Sequence, residues 1–86
     1  MQIKYARKFK RQYTKASEKI KKVFKGRRNL FLKNPHASIL NNHKLKGEFK
    51  GYRSINITGD WRAFYSKPNK NIVIFEVLGT HSQLYK

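Results

Sequence analysis

The sequence predicts an α+β domain of element order β-α-α-β-β-β, with two helices covering one face of a mainly antiparallel four-stranded sheet. Two observations predict it. Apolar residues recur at three- and four-residue spacings between Phe9 and Phe31, whereas they alternate with polar residues after Phe49. The 86 residues also contain no repeat, linker or low-complexity tract, so residues 1–86 are predicted to form a single domain.

The N-terminal half predicts a short strand at residues 2–5 and two amphipathic helices. The first helix is expected at about residues 6–13. The second begins after the segment from Thr14 to Ser17, either of which can cap it. It ends before Asn34, because the residue that precedes a proline disfavours the helical conformation.

The C-terminal half predicts three strands after a loop at residues 36–46. They are expected at residues 49–57, 61–67 and 72–78, with turns at 58–60 and 68–71. In the first strand Phe49, Ile55 and Ile57 share one face, and Ser54 and Asn56 lie on the other with Lys50 and Tyr52. The last strand is apolar on both faces except at Glu76, which predicts an interior position in the sheet.

Composition indicates a polyanionic partner. The chain has 21 Lys and Arg against 4 Asp and Glu, a formal net charge of +17, which favours binding to phosphate backbones such as RNA. Its longest apolar run, residues 72–75, is too short to span a membrane and the N-terminus lacks a signal-like apolar stretch, so a cytoplasmic protein without membrane contact is expected. With no cysteine and three scattered histidines, neither a metal nor a cofactor is expected.

The C-terminal half also holds side chains suited to cutting RNA. Metal-free cleavage needs a base to deprotonate a ribose 2′-hydroxyl, an acid to protonate the departing 5′ oxygen, and cations to stabilise the phosphate. Histidine, carboxylate, lysine and arginine suffice. The candidates are His43, Asp60 and His81, with Arg53, Arg62, Lys44, Lys46 and Lys50 around them.

Each candidate has a structural interpretation as well. His81 can simply end a strand, Asp60 after a glycine is ordinary turn chemistry, and the arginines on strands can pair with glutamates. His36 is interpreted as a plain loop residue. Trp61 is interpreted as packing in the core or at its rim, since its strand neighbours Ala63 and Tyr65 share its face.

Four segments resemble the RelE/YafQ superfamily, the toxins of bacterial type II toxin–antitoxin systems. They are His43-Lys44-Leu45-Lys46-Gly47, Gly51-Tyr52-Arg53-Ser54, Gly59-Asp60-Trp61-Arg62 and Leu78-Gly79-Thr80-His81-Ser82-Gln83-Leu84-Tyr85. The His-x-Leu-x-Gly, Asp-Trp and Gly-Thr-His patterns are most similar to the YafQ branch. The resemblance covers nearly the whole chain and implies a RelE-like fold.

The resemblance also implies a function. Members of this kind are small endoribonucleases that enter the ribosomal A site, against the 16S rRNA of the small subunit, and cut the mRNA there without a metal. Translation stops as a result. A co-expressed antitoxin silences the enzyme, and the charge of this chain leads us to expect an acidic antitoxin that wraps the helices or fills the basic cleft.

Matching positions imply roles for particular residues. His81 matches a general acid, Asp60 a general base, His43 a further active-site histidine and Arg62 an arginine that stabilises the scissile phosphate. Asn56 stands where YafQ-like members often have histidine, and an amide cannot exchange protons at pH 7, so His43 is expected to carry more of the proton transfer. The residues expected to contact RNA are Arg53, Lys44, Lys46, Lys50, Tyr52, Asn56 and Tyr85, the two tyrosines by stacking.

A non-catalytic module of the same fold is the alternative. It would be a ParE-like gyrase inhibitor or a basic nucleic-acid-binding accessory protein, and fold alone does not separate these from a nuclease. The discriminating feature is the grouping of His43, Asp60, Arg62 and His81, which a pure binding module does not need.

Overall fold

A computed structural model describes residues 1–85, and Lys86 lies outside the described residues. The strands are β1 Gln2–Tyr5, β2 His43–Lys44, β3 Arg53–Asn56, β4 Trp61–Asn69 and β5 Ile72–Thr80. The helices are α1 Arg7–Lys15, α2 Glu18–Lys33 and α3 His81–Leu84, with 3₁₀ turns at Ser38–Leu40 and Gly47–Phe49. Within this range no helix combines the length and the apolar character needed to cross a membrane.

The five strands form one sheet in the order β1-β5-β4-β3-β2. β1 runs parallel to β5, and every other pair is antiparallel. The mainly antiparallel α+β prediction is therefore confirmed. β5 has a neighbour on each side, as its two apolar faces predicted.

α1 and α2 cover the face of the sheet that we call the first face. Phe9 and Phe24 are buried with ring centroids 5.2 Å apart, and Phe24 meets Phe75 of β5 at 5.3 Å. The Ser17 hydroxyl caps α2 by accepting a hydrogen bond from the Ile20 backbone N–H at 3.2 Å. Packing of buried rings, about 1.5–3 kcal/mol for each fully buried large side chain, fixes the helices on the sheet.

Two predictions about the start of the sheet are wrong. The sheet has five strands rather than four, because His43–Lys44 adds a two-residue edge strand that is too short to leave a pattern. The first hairpin strand begins at Arg53 rather than at residue 49, because Gly47 (φ 67°) and Gly51 (φ 98°) turn the backbone through the left-handed region. Phe49 consequently lies in a 3₁₀ turn.

The turn between the last two strands is also tighter than predicted. β4 continues through Pro68 to Asn69, and only Lys70 and Asn71 remain to reverse the chain. An irregular register between Ser66 and Asn69 accommodates the proline, which has no N–H to give to the ladder.

The opposite, second face of the sheet is covered in part. A small apolar cluster of Leu45, Phe64, Val77 and Leu84 lies on it, with Phe49 and Tyr52 packed against the edge. Phe49 therefore belongs to the second face, whereas the strand pattern had placed it with Ile55, which is buried beneath the helices. The groups predicted to be catalytic lie around this cluster.

Candidate active site

The C-terminal helix α3 fixes the position of His81. Thr80 and Gln83 cap it reciprocally: the Gln83 backbone N–H donates to the Thr80 hydroxyl at 3.3 Å, and the Thr80 N–H donates to the Gln83 side-chain oxygen at 2.9 Å. His81 is the first residue of the helix and its side chain is exposed. The imidazole is thus presented at the end of an interior strand.

α3 folds back over the second face because Gly79 lets it approach. A β-carbon on Gly79 would lie 3.1 Å from the Gln83 side-chain oxygen and 3.2 Å from Leu84 Cδ2. Leu84 is buried in the cluster with Phe64 and Val77. This contact anchors the helix. In the Gly-Thr-His segment, Gly79 allows the close approach, Thr80 caps the helix and His81 carries the imidazole.

Backbone pairing brings four predicted residues to one corner of the sheet. The His81 backbone N–H donates to the Asp60 carbonyl at 2.8 Å. Asn56 lies directly opposite Arg62, and Arg62 lies opposite Gly79, two residues before His81. Directly opposed residues have β-carbons about 4.5–5.5 Å apart and share a face, so the amide of Asn56 and the guanidinium of Arg62 are neighbours, and the backbone bond brings Asp60 and His81 to the same corner.

Arg62 is held by the turn that carries Asp60. Its Nη1 lies 3.0, 3.2 and 3.1 Å from the carbonyl oxygens of Thr58, Gly59 and Trp61. Within residues 1–85 its Nε and Nη2 have no hydrogen-bond partner. These free donors of a fixed guanidinium suit an incoming phosphate.

Tyr85 joins His81 to the centre of the second face. The rings of His81 and Tyr85 have centroids 4.5 Å apart, and Tyr85 meets Phe64 at 5.6 Å and Phe49 at 6.5 Å. Tyr85 remains 39% exposed. It is therefore an accessible aromatic ring beside the imidazole, in line with the stacking role predicted for it.

His43 lies on the same face, in the neighbouring row of residues that are paired across the strands. It pairs with Ser54, which pairs with Phe64. Its side chain is exposed, and its Nδ1 lies 2.7 Å from the carbonyl oxygen of Asn41. The row runs across the sheet to the phenylalanine under Tyr85, so His43 and His81 flank the second face from opposite sides.

Some predicted RNA contacts are not brought to this face. Arg53 pairs with Tyr65 on the side of the helices, and its Nε donates to the Asn42 side-chain oxygen at 2.8 Å. Lys44 pairs with Arg53 and shares that side. Tyr52 is half-buried and packs against the edge of the apolar cluster, on the second face.

Lys46 and Lys50 flank the 3₁₀ turn that carries Phe49, and both are exposed. They add positive charge at the rim of the cluster. In residues 1–85 the one ion pair joins Lys21 to Glu18 at 3.4 Å on the helices. The cations of the second face therefore point into solvent and have no carboxylate partner. Within the same range, no group of three or more histidines, aspartates and glutamates is placed to hold a metal ion.

Two buried polar atoms in the described residues lack a hydrogen-bond partner, and both belong to β3. They are Ser54 Oγ and Asn56 Oδ1, in the rows of His43 and Arg62 respectively. An unpaired buried polar atom costs about 1–3 kcal/mol. The face that holds the candidate groups is thus incompletely hydrogen-bonded.

Several residues of the site escaped sequence reasoning. The helix α3 had a readable signal, because Thr80-x-x-Gln83 is a capping box. The Phe49–Phe64–Tyr85 ring cluster had none, since it depends on contacts between distant elements. The Asn42–Arg53 bond likewise depends on the pairing of β2 with β3. The close packing over Gly79 is a local contact, which arises where the chain turns from β5 into α3.

Comparison with known proteins decides the family. A family model described as the bacterial toxin of type II toxin–antitoxin system, YafQ, matches residues 1–86. The chain belongs to this family. A curated YafQ family relative, the mRNA interferase toxin YafQ of Escherichia coli K12, is 35% identical over 51 residues. That match covers 59% of this chain and 54% of the relative, so the chain spans about half the length of the curated YafQ that it matches.

Solved YafQ structures share the fold over nearly the full length. The crystal structure of YafQ from E. coli BL21(DE3) has a TM-score of 0.84 and 25% identity, covering 99% of this chain and 98% of that one. YafQ in the E. coli DinJ–YafQ toxin–antitoxin complex has a TM-score of 0.80 and 25% identity over 99% and 97%. A YoeB/ParE toxin from Agrobacterium tumefaciens, 18% identical with a TM-score of 0.77 over 94% and 99%, has the same fold.

Proposed function

We propose that this YafQ family member is an endoribonuclease toxin that cleaves mRNA in the ribosomal A site and thereby inhibits translation. The family membership and the mRNA interferase relative support the reaction class. The observation that carries the proposal is the corner at which the His81 N–H meets the Asp60 carbonyl at 2.8 Å, beside Arg62 in the adjacent row. A binding module has no need of an acid, a carboxylate and a fixed cation at one point.

The chemistry follows from these groups. A base takes the proton of the ribose 2′-hydroxyl, the 2′ oxygen attacks the phosphorus, and His81 gives a proton to the 5′ oxygen as that bond breaks. Arg62 stabilises the charge that develops on the non-bridging phosphate oxygens through its two free donors. Side chains supply the acid, the base and the cation, so the proposed reaction is independent of a metal and of a cofactor.

Two groups are in place to act as the base. Asp60 adjoins His81 through the backbone bond, and its side chain is exposed. His43 approaches from the other side of the second face, with one ring nitrogen already hydrogen-bonded. Asn56, in the row of Arg62, offers an amide that hydrogen-bonds to the nucleotide without transferring a proton.

The remaining charge suits the ribosome. α1 and α2 carry exposed cations on their outer surfaces, among them Lys8, Lys10, Arg11, Lys15, Lys19, Lys22 and Lys25. We assign to them sequence-independent contacts with 16S rRNA phosphates, and to Lys46, Lys50 and Tyr85 contacts with the mRNA. Such contacts weaken steeply with salt. A ribosome-bound enzyme would act in the cytoplasm, which is the location we propose.

The same charge suits a protein inhibitor. YafQ of E. coli is held in a complex with the antitoxin DinJ. We propose that this chain likewise binds a cognate antitoxin, and that its acidic segment contacts the cations of the helices. One segment of 27 residues, from Arg7 to Lys33, contains a single acidic residue, Glu18, so the attraction is one-sided.

Induced expression in bacteria tests the proposal. The unmodified chain is expected to arrest growth and to produce mRNA 3′ ends inside coding regions in phase with the reading frame. His81→Ala is expected to abolish both, because removal of a general acid costs about 10²–10⁴ in rate. His36→Ala is the matched control, since His36 is exposed and makes no hydrogen bond in the described structure.

Two results would count against the proposal, and a third would invalidate the control. Equal toxicity of the unmodified chain and His81→Ala would remove the proposed acid. Arrest of translation without new RNA ends would favour a binding module of the same fold. Loss of activity in His36→Ala as well would mean that any histidine substitution disturbs the protein.

A further inference from the structure

We propose that Asn41 is a positioning residue, which holds the His43 imidazole in one tautomer so that its Nε2 takes the proton of the ribose 2′-hydroxyl. This inference rests on the proposed function, because it selects the base of that reaction. Three observations support the inference. They are the backbone conformation of Asn41, the hydrogen bond that its carbonyl group accepts, and the hydrogen bonds that hold the residues next to it.

The backbone at Asn41 is unusual. Its φ of 44° and ψ of 49° lie in the left-handed region, and among residues 1–85 it is the one residue other than glycine with positive φ. Asparagine tolerates this conformation, whereas a β-branched residue does not. The left-handed step ends the 3₁₀ turn Ser38–Leu40, and the Asn41 carbonyl lies 2.7 Å from the ring nitrogen Nδ1 of His43.

That contact determines where the proton lies on the ring. A carbonyl oxygen can only accept a hydrogen bond, so Nδ1 must be the donor. A neutral imidazole carries one N–H, which leaves the lone pair on Nε2. Within residues 1–85, Nε2 of His43 has no partner and is ready to accept a proton.

Restraints on both sides keep this geometry. The Asn42 side chain donates to the Pro35 carbonyl at 2.9 Å and to the Tyr65 hydroxyl at 2.8 Å, and it accepts from Arg53 Nε at 2.8 Å. His43 itself is paired with β3. The residue that follows Asn41 is thus fixed from three directions, which gives Arg53 a supporting role in place of an RNA contact.

The face on which His43 lies completes the argument. His43 pairs with Ser54 and Ser54 with Phe64, and the Phe64 ring meets Tyr85 edge to face beside His81. An RNA strand that crosses this face meets Nε2 of His43 from one side and the imidazole of His81 from the other. Asp60 lies on the His81 side of this face. In this assignment its carboxylate orients the substrate and does not take the proton of the 2′-hydroxyl.

Two substitutions of one residue separate the positioning role from folding. Asn41→Gly keeps access to the left-handed region, and Asn41→Val disfavours it. The tautomer of His43 is read in purified protein by long-range ¹H–¹⁵N correlation NMR, RNA cleavage is measured as a rate across pH, and thermal unfolding reports the fold.

The unmodified chain and Asn41→Gly are expected to show His43 protonated at Nδ1 when neutral, with similar cleavage rates. Asn41→Val is expected to shift the ring towards the Nε2–H tautomer and to slow cleavage about 10- to 100-fold, as a misplaced catalytic group does. Its affinity for RNA is expected to stay unchanged, since no phosphate contact is removed.

The outcomes are distinguishable. A neutral His43 protonated at Nε2 in the unmodified chain overturns the inference, whether or not RNA is cut. If Asn41→Val shifts the tautomer and still cleaves RNA at the full rate, His43 is not the base. Asp60 is then the remaining candidate for the base. Absence of cleavage by the unmodified chain overturns the proposed function, while the NMR result still decides whether Asn41 fixes the ring.

Discussion

The two faces of the sheet differ in how completely their groups are packed and paired. On the first face, Phe9 of α1 and Phe24 of α2 are buried against Phe75 of β5, and the three rings contact one another. On the second face a smaller cluster adjoins two buried polar atoms without a partner, Ser54 Oγ and Asn56 Oδ1. The first face is closely packed, whereas the second includes polar atoms that the fold leaves without a hydrogen-bond partner. Substitutions should therefore separate stability from activity.

The largest effect on stability is expected on the first face. Phe24→Ala should lower the free energy of unfolding by about 3–5 kcal/mol, because it leaves a cavity among aromatic rings. Chemical denaturation of the purified protein measures this. Phe24→Leu, which keeps most of the volume, should cost clearly less. A loss below about 1 kcal/mol in Phe24→Ala would show that the helices do not depend on this contact.

On the second face the effect is expected in activity. Arg62→Lys should slow RNA cleavage about 10²-fold, since an ammonium group cannot hold the turn carbonyls and also present two donors to a phosphate. The free energy of unfolding should change by no more than about 1 kcal/mol. Arg11→Lys on the exposed surface of α1 is the control. Equal cleavage by the two variants would contradict the assignment of Arg62.

The smallest effect is expected from alanine substitutions at two glycines. Gly79→Ala should destabilise the protein by about 1–3 kcal/mol and reduce cleavage, because the new methyl group pushes α3 and with it His81. Gly26→Ala in α2 has open space around the added carbon and should stabilise the helix by about 0.5–1 kcal/mol without changing cleavage. Thermal unfolding and cleavage rates check both. Effects of the same sign would contradict the close packing at Gly79.

Much of the fold was accessible from the sequence. The periodicity of Phe9, Phe24 and Phe31 predicted the helices, with the cap of the second left open between Thr14 and Ser17, and alternation predicted the strands. The two-residue strand β2 was not accessible, because its pairing with β3 comes from the turns at Gly47 and Gly51. Hydrophobic pattern describes the face that an element buries and carries little information about where a short edge strand attaches.

The candidate site was accessible in part. His81, Asp60 and Arg62 were named from motifs, and the register of β3, β4 and β5 brings them to one corner with Asn56. Arg53 was grouped with them from its charge alone. No residue pattern indicates that its guanidinium faces Asn42 on the side of the helices, since the partner of a side chain depends on strand register.

The sequence by itself determined the class of fold, the positive charge and the chemical groups that this YafQ family member can use, because these depend on local periodicity and residue type. Only the tertiary structure decided which groups lie together. The register of β3, β4 and β5, the contact of Tyr85 with Phe64 and the hydrogen bond from Arg53 to Asn42 all join residues that are far apart in the sequence. Catalysis requires distances between groups, and distances between separate strands are fixed by packing.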